Sequence, residues 1–421
     1  YTYSKLQPEK GVLTLSQEEI DSNSFHFLIK DWEFYEDALL TPTYFKNQTS
    51  LPNMKYVSIG DTESAYTSQT KNNTFIGTYR MKINFPEKEG FYALEMPQVY
   101  SAYELYINDK LYLKVGDTHN YKAQIQNRCT FFAASGETYI TIAVKDASGI
   151  KAGITSPPTL GKPYSINITR AFKFLINNFI MTLIFFGALF SLILAISGKS
   201  NYSYMFFFMC LIYAVYLNHP LINLCFSMGG NFSYIFEHFC AYFVYLMVIM
   251  LQNRLCNLNK TVSSISEICG SVFCAISLVY GVFTPYLSAP LCTFFSNLCN
   301  VFEWLAAIYL VTIGTYAVFN DIKYGRIFLF GNICFAVSLF FNIIQPLYDS
   351  IYTDQSVEIG ILAILGCLYF VYWASIADKY RRNMALDDER RLMERQINLY
   401  KENYVHITEQ IEETRKLRHD M

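Results

Sequence analysis

Leu417-Arg418-His419-Asp420-Met421 sets an imidazole beside a carboxylate at the end of a charged, helix-forming segment. A histidine ring nitrogen can attack the γ-phosphate of a nucleotide in line and pass the phosphoryl group on. A neighbouring carboxylate can orient the ring and take its proton. That chemistry needs an exposed ring. Met393, Ile397, Tyr400, Tyr404, Ile407, Ile411, Thr414, Arg418 and Met421 follow the 4-3 spacing of a coiled-coil seam. His419 falls next to that seam, open to solvent, with Asp420 in the acid/base or orienting role. His406 lies in the same helix without an acidic neighbour and reads as structural.

Other side chains are candidates for binding. Trp32, Tyr100, Tyr103 and Tyr121 can offer stacking faces to a sugar ring, or fill a β-sheet core. Glu303 sits about a dozen residues into an apolar run, where a carboxylate is costly unless protonated, paired or facing a cavity. It is either a functional group or a neutral fastener between helices. Asn218-His219-Pro220 interrupts a second apolar run, and Glu237-His238 opens a third. These form an outer polar pocket that receives the first domain or a ligand, or else sit at headgroup level. His26 and His119 are isolated, and no spacing suits a metal.

The elements that must hold these groups follow from where charge is absent. Over half of the 421 residues are apolar and 17% aromatic, with a net charge of −2 that carries no message about nucleic acid. Charges crowd the first 160 residues and the last 44; the stretch between is nearly free of them. Seven apolar runs, at 179–196, 204–226, 232–251, 265–283, 291–319, 327–347 and 357–377, can cross the bilayer as helices. Lys199, Arg254, Lys260, Lys323, Arg326, Lys379, Arg381 and Arg382 lie on one side; Arg170 and Lys173 argue weakly for the other. By that majority the first domain is extracellular and the C-terminus cytoplasmic. Cys225 and Cys292 then fall near the outer face, where they pair or simply pack.

Residues 1–154 read as an antiparallel sandwich or jelly roll. "TYRMKINF" (78–85), "FYALEM" (91–96) and "TYITIAVK" (138–145) are strand-like, and 103–115 is a hairpin turning at Asn108-Asp109. The Pro-rich stretch 155–170 is expected to be a linker. Residues 171–377 make the seven-helix bundle and 378–421 a dimeric helix, with ten acids and ten bases and no Gly or Pro. Asp378/Arg382, Asp387/Arg391 and Glu412/Lys416 add favourable i,i+4 pairs. The fold class is a multidomain membrane protein: an extracellular all-β sandwich, a seven-helix transmembrane bundle and a cytoplasmic coiled-coil helix.

"WEFY" with "LLTP" (32–42), "GTYRMKINFP" (77–86) and "SAYELYINDKLYLKVG" (101–116) resemble the bacterial seven-transmembrane receptors with diverse intracellular signalling modules. The resemblance covers roughly 1–377 and implies sensing of an extracellular sugar or other small molecule. "LRHDM" resembles the phosphoacceptor box of sensor histidine kinases, which implies autophosphorylation of His419, a response regulator as partner, and ATP with Mg bound by a kinase domain. Asparagine- and glycine-rich nucleotide boxes are not in this sequence, which holds no cofactor site of its own. The expectation is therefore the sensor half of a longer protein, inactive alone. The rival is a non-enzymatic receptor whose coiled coil recruits or carries a cyclase or phosphatase. The spans lack the Asp-Arg-Tyr and Asn-Pro-x-x-Tyr motifs of G-protein-coupled receptors and the repeated broken helices of transporters.

Overall fold

The computed structural model describes residues 4–47, 53–59, 74–147, 152–198, 201–226, 230–287, 289–344 and 353–419. Its first part is two β-sheets. One runs β4 (Met54–Val57), β3 (Trp32–Glu36), β5 (Phe75–Asn84), β10 (Glu137–Asp146), β7 (Ala102–Ile107), β8 (Lys110–Val115). The other runs β2 (His26–Phe27), β11 (Thr159–Gly161), β6 (Gly90–Met96), β9 (Arg128–Ala134). Pairing is antiparallel except that β1 (Val12–Thr14) lies parallel on the end of β5.

Alternation explains why the two sheets face each other. Every second residue of β5, among them Gly77, Tyr79, Met81 and Ile83, is buried, as period-2 side chains on one face must be. Met81, Ile83, Ile140 and Ile142 from the first sheet meet Leu94, Met96 and Leu160 from the second in one core. The 103–115 hairpin forms as expected, with Ile107 opposite Lys110. Asn108 takes the left-handed φ of 52° that the turn demands, and its side-chain oxygen accepts from the Tyr139 N–H at 2.8 Å.

Residues 155–170 are not a free tether. Thr159–Gly161 hydrogen-bonds between β2 and β6 as the inner strand of the second sheet. Pro163 then opens α3 (Pro163–Gly198), after the short α1 (Gln17–Asp21) and α2 (Pro42–Asn47) of the β domain. Proline's missing N–H costs nothing in a first helical turn, so the helix starts well before the apolar run does.

Next come α4 (Asn201–Leu217), α5 (His219–Phe226), α6 (Gly230–Leu255), α7 (Lys260–Phe283), α8 (Ala289–Phe319), α9 (Gly325–Ile344) and α10 (Thr353–His419). Among the described residues, five helical stretches are long and apolar enough to cross a membrane: Pro163–Ile196, Phe232–Leu255, Lys260–Phe283, Asn297–Phe319 and Val357–Glu412. Two shorter apolar helices, Ser203–Leu217 and Gly325–Phe341, occupy the other two runs. Neutral polar pairs fasten this part: the Gln252 and Asn332 amides bond reciprocally at 2.7 and 3.0 Å. Asn332 also donates to the Leu310 carbonyl at 2.5 Å. Cys225 is a free thiol, and the side chain of Cys292 lies outside the described residues.

The chain divides into two compact units, Tyr1–Leu365 and Gly366–Met421. In the second, Met393, Ile397, Tyr400, Tyr404, Ile407 and Ile411 are all exposed along the helix.

Candidate functional site

Polar side chains from four helices and the β domain converge on one cleft of about 740 Å³ within the first unit. Glu95 comes from β6, and Tyr100 from the loop that follows it. Arg170 and Asn177 come from α3, His219 from α5 and Glu237 from α6. Glu358 comes from α10.

Two bonds tie the β domain to the helices here. The buried Tyr100 hydroxyl donates to Glu237 Oε2 at 2.9 Å, and Arg170 Nε lies 3.4 Å from Glu95 Oε1. Pro220 cannot donate a backbone hydrogen bond, so α4 gives way to α5 at Asn218. Ile222 N–H still donates to the Asn218 carbonyl at 2.9 Å, which keeps this a kink rather than a gap. The kink seats His219, 1% exposed, against α6. Its Nε2 is 3.0 Å from the Ser233 carbonyl and 2.7 Å from Ser233 Oγ. The Asn223 amide nitrogen is 3.2 Å from the same Nε2, and Nδ1 lies 3.6 Å from Glu237 Oε2. Asn223 Nδ2 donates to Ser233 Oγ at 2.6 Å and closes the cluster. The His238 ring lies tilted against Tyr234, with centroids 4.0 Å apart, and Tyr234 meets Tyr100 edge-on at 5.8 Å.

The structure thus brings together His219, Glu237, His238 and Tyr100, three of them expected as a polar pocket and the fourth as a binding aromatic. It separates the rest. Trp32 and Tyr103 are 0% exposed and present no face to a ligand, because both lie on the inward side of their strands. The Trp32 indole donates to the Leu28 carbonyl at 2.9 Å, and burial pushes the Tyr103 hydroxyl well above its usual range. Tyr121 donates to Asp146 at 2.6 Å away from the cleft lining. Glu303 is half-buried on α8 and makes no ion pair among the described residues. The side chain of His419, the last described residue, and all of Asp420 lie outside the described residues.

Sequence reasoning missed Glu95, Gln98 and Asn177. It met Arg170 only as a charge on the unexpected side. No group of three or more metal-ligating side chains occurs among the described residues.

Fold and cleft together define a membrane-associated protein that carries a β-sandwich. Neither a family model nor a curated protein matches the chain. Solved structures similar to part of it include an uncultured Clostridium sp. β-glucuronidase, at 15% identity and a TM-score of 0.25 over 33% of this chain and 29% of that one. Faecalibacterium prausnitzii β-glucuronidase is similar at 15% identity and a TM-score of 0.22, over 28% and 20%. The Eisenbergiella tayi GH2 β-galacturonidase bound to galacturonate is similar at 11% and 0.23, over 33% and 24%. The chain therefore spans less than a third of the length of each, and likeness this slight carries no argument about activity.

Proposed function

We propose that this chain is the sensor portion of a membrane receptor of the sensor histidine kinase type. On this reading all seven apolar runs cross the bilayer. The sandwich lies outside and the charged tail in the cytoplasm, as the eight-to-two distribution of Lys and Arg favours. Arg170 and Lys173 then lie on the outer side as docking residues, Arg170 being matched to Glu95 of the sandwich.

The observation that carries the reading is α10. It is one helix of 67 residues, unbroken from the last apolar run into the charged tail. Such a rod can transmit a shift or rotation over its length, at 1.5 Å per residue. Its exposed 4-3 stripe supports pairing with a second copy, since an isolated helix gains little support in water. Ligand binding outside would bias two packings of the helices and so the access of a kinase domain to His419. That domain, with ATP and Mg, would belong to the remainder of the parent protein, and a response-regulator aspartate would receive the phosphoryl group.

The test is labelling of the full-length protein with γ-labelled ATP beside a His419→Gln variant. Acid-labile label confined to the wild type is expected. Equal labelling removes His419 as acceptor, and no label in either favours a receptor that only recruits its output partner.

A further inference from the structure

The cleft straddles the level at which charge gives out along α3. Arg170 and Lys173 line it before the apolar run that begins at Phe179, and Met181 lines it just inside that run. From Arg170 to Met181 the helix rises about 16 Å, so the lining passes from cations to an apolar side chain over that length. Tyr216, Leu217 and Leu221, from the apolar run 204–226, line the cleft too. Phe174 and Leu221 stay 58% and 46% exposed, at a depth where a crossing helix meets lipid rather than water. A fully water-soluble ligand would leave this apolar part unmatched, and a hydrocarbon alone would strip the charges of water. An amphiphile matches both, and the bilayer around α3 is made of amphiphiles.

The charges select among headgroups. Arg170 and Lys173 stand on α3, while two carboxylates in the same lining, Glu237 and Glu358, stand on α6 and α10. A purely anionic headgroup would meet the carboxylates, and a purely cationic one the basic pair. A zwitterion offers a phosphate to the cations and an ammonium to the carboxylates. The side chains can take these contacts while keeping those they have. Arg170 presents Nε to Glu95 and keeps 40% of its side chain exposed, with further N–H donors on its fork. Glu237 accepts from Tyr100 and keeps 25% of its side chain exposed, and a carboxylate has about four acceptor sites. An ammonium has N–H groups to give to them; a quaternary amine has none.

We propose that the cleft holds the headgroup of one amine-bearing zwitterionic phospholipid, of the phosphatidylethanolamine class, drawn from the leaflet on the sandwich side. Its phosphate lies at Arg170 and Lys173, its ammonium at Glu237 and Glu358, and its chains leave past Met181 and Leu221. The lipid thereby joins the sandwich to three helices. This rests on α3 crossing the bilayer and not on the phosphoacceptor.

The test uses the whole chain in detergent micelles. Native mass spectrometry follows titration with phosphatidylethanolamine, phosphatidylcholine and phosphatidylglycerol of identical chains. One phosphatidylethanolamine should be retained, bound about tenfold tighter than either other lipid, the worth of one charge-assisted hydrogen bond. Arg170→Gln and Glu358→Gln should each weaken it about tenfold. Lys260→Gln, outside the lining, should leave it unchanged. Glycerophosphoethanolamine, the same headgroup without chains, should fail to compete at tenfold excess. If a variant fails to fold, the wild type is photo-cross-linked with a phosphatidylethanolamine carrying a diazirine near the glycerol end of one chain. Cross-links are then expected within 174–181 and 216–221. The proposal is overturned if the three lipids bind alike, if another of them binds tightest, or if either site variant keeps full affinity. It is equally overturned if the soluble headgroup competes as well as the lipid, or if cross-links lie elsewhere. Retained lipid in a protein that never labels at His419 would uphold this site and remove the kinase reading; labelling without retained lipid would do the reverse.

Discussion

Removing one hydroxyl at Tyr100 should loosen the sandwich from the helices by an amount that depends on Glu237. The Tyr100 hydrogen bond is 2.9 Å long and ends on a carboxylate whose side chain keeps 25% of its surface exposed. A hydrogen bond to a charged group is worth about 1.5–3 kcal/mol. Partial exposure lets water recover some of the loss, so Tyr100→Phe should cost about 1.5 kcal/mol. Glu237→Gln keeps an oxygen to accept from Tyr100 but gives up charge assistance. It should cost about 1 kcal/mol. Because each change removes much of what the other would, the double variant should fall short of the sum by about 1 kcal/mol. For a domain of this size, 1 kcal/mol moves Tm by about 2–4 °C. The single variants should therefore melt about 2–6 °C lower in nanodiscs, followed by near-ultraviolet circular dichroism. Costs that add to within about 0.3 kcal/mol would refute the reasoning, since the hydroxyl and carboxylate would then not be acting on each other.

Two predictions concern the sandwich itself. Gly116 has φ +75°, and a Cβ there would lie 2.2 Å from the Lys122 carbonyl oxygen, a backbone atom that cannot rotate away. Gly116→Ala should therefore cost more than about 2 kcal/mol, read as a lower Tm of the sandwich, and an unchanged Tm would show that the loop relaxes freely. Burial pushes the Glu104 carboxyl up, but hydrogen bonds from Tyr106, Lys114 and Thr118 outweigh it and leave its pKa below the usual carboxylate value. A folded pKa below the unfolded one stabilises above the unfolded value of about 4.3 and loses that stabilisation as pH falls through the folded one. Melting between about pH 3 and pH 6 should show wild type losing stability on acidification more steeply than Glu104→Gln; parallel curves would refute it.

How much of this was legible in the sequence depends on how local the cause is. The 103–115 hairpin could be read because alternation and an Asn-Asp turn are contained within 13 residues. The kink at Pro220 could be read for the same reason. Trp32 and Tyr103 were ambiguous because an aromatic on a strand does not announce which face it takes. Strand 159–161 was hidden because three residues between prolines carry no period, and only its neighbours β2 and β6 make it a strand. Glu237 and His219 stood out as polar groups inside apolar runs, yet Tyr100, 137 positions before Glu237, had no signal linking it to them. Gln98 and Asn177 carried none either, since a neutral amide offends no rule of burial or sidedness. Arg170 is the instructive case. It was the one kind of residue that did break a rule, a cation on the flank where the others said none should be. The reason lay 75 positions earlier in Glu95. A cation weighed only against other cations shows nothing of the carboxylate that faces it, and on this chain that carboxylate, Glu95, is brought to Arg170 by the fold of the β domain.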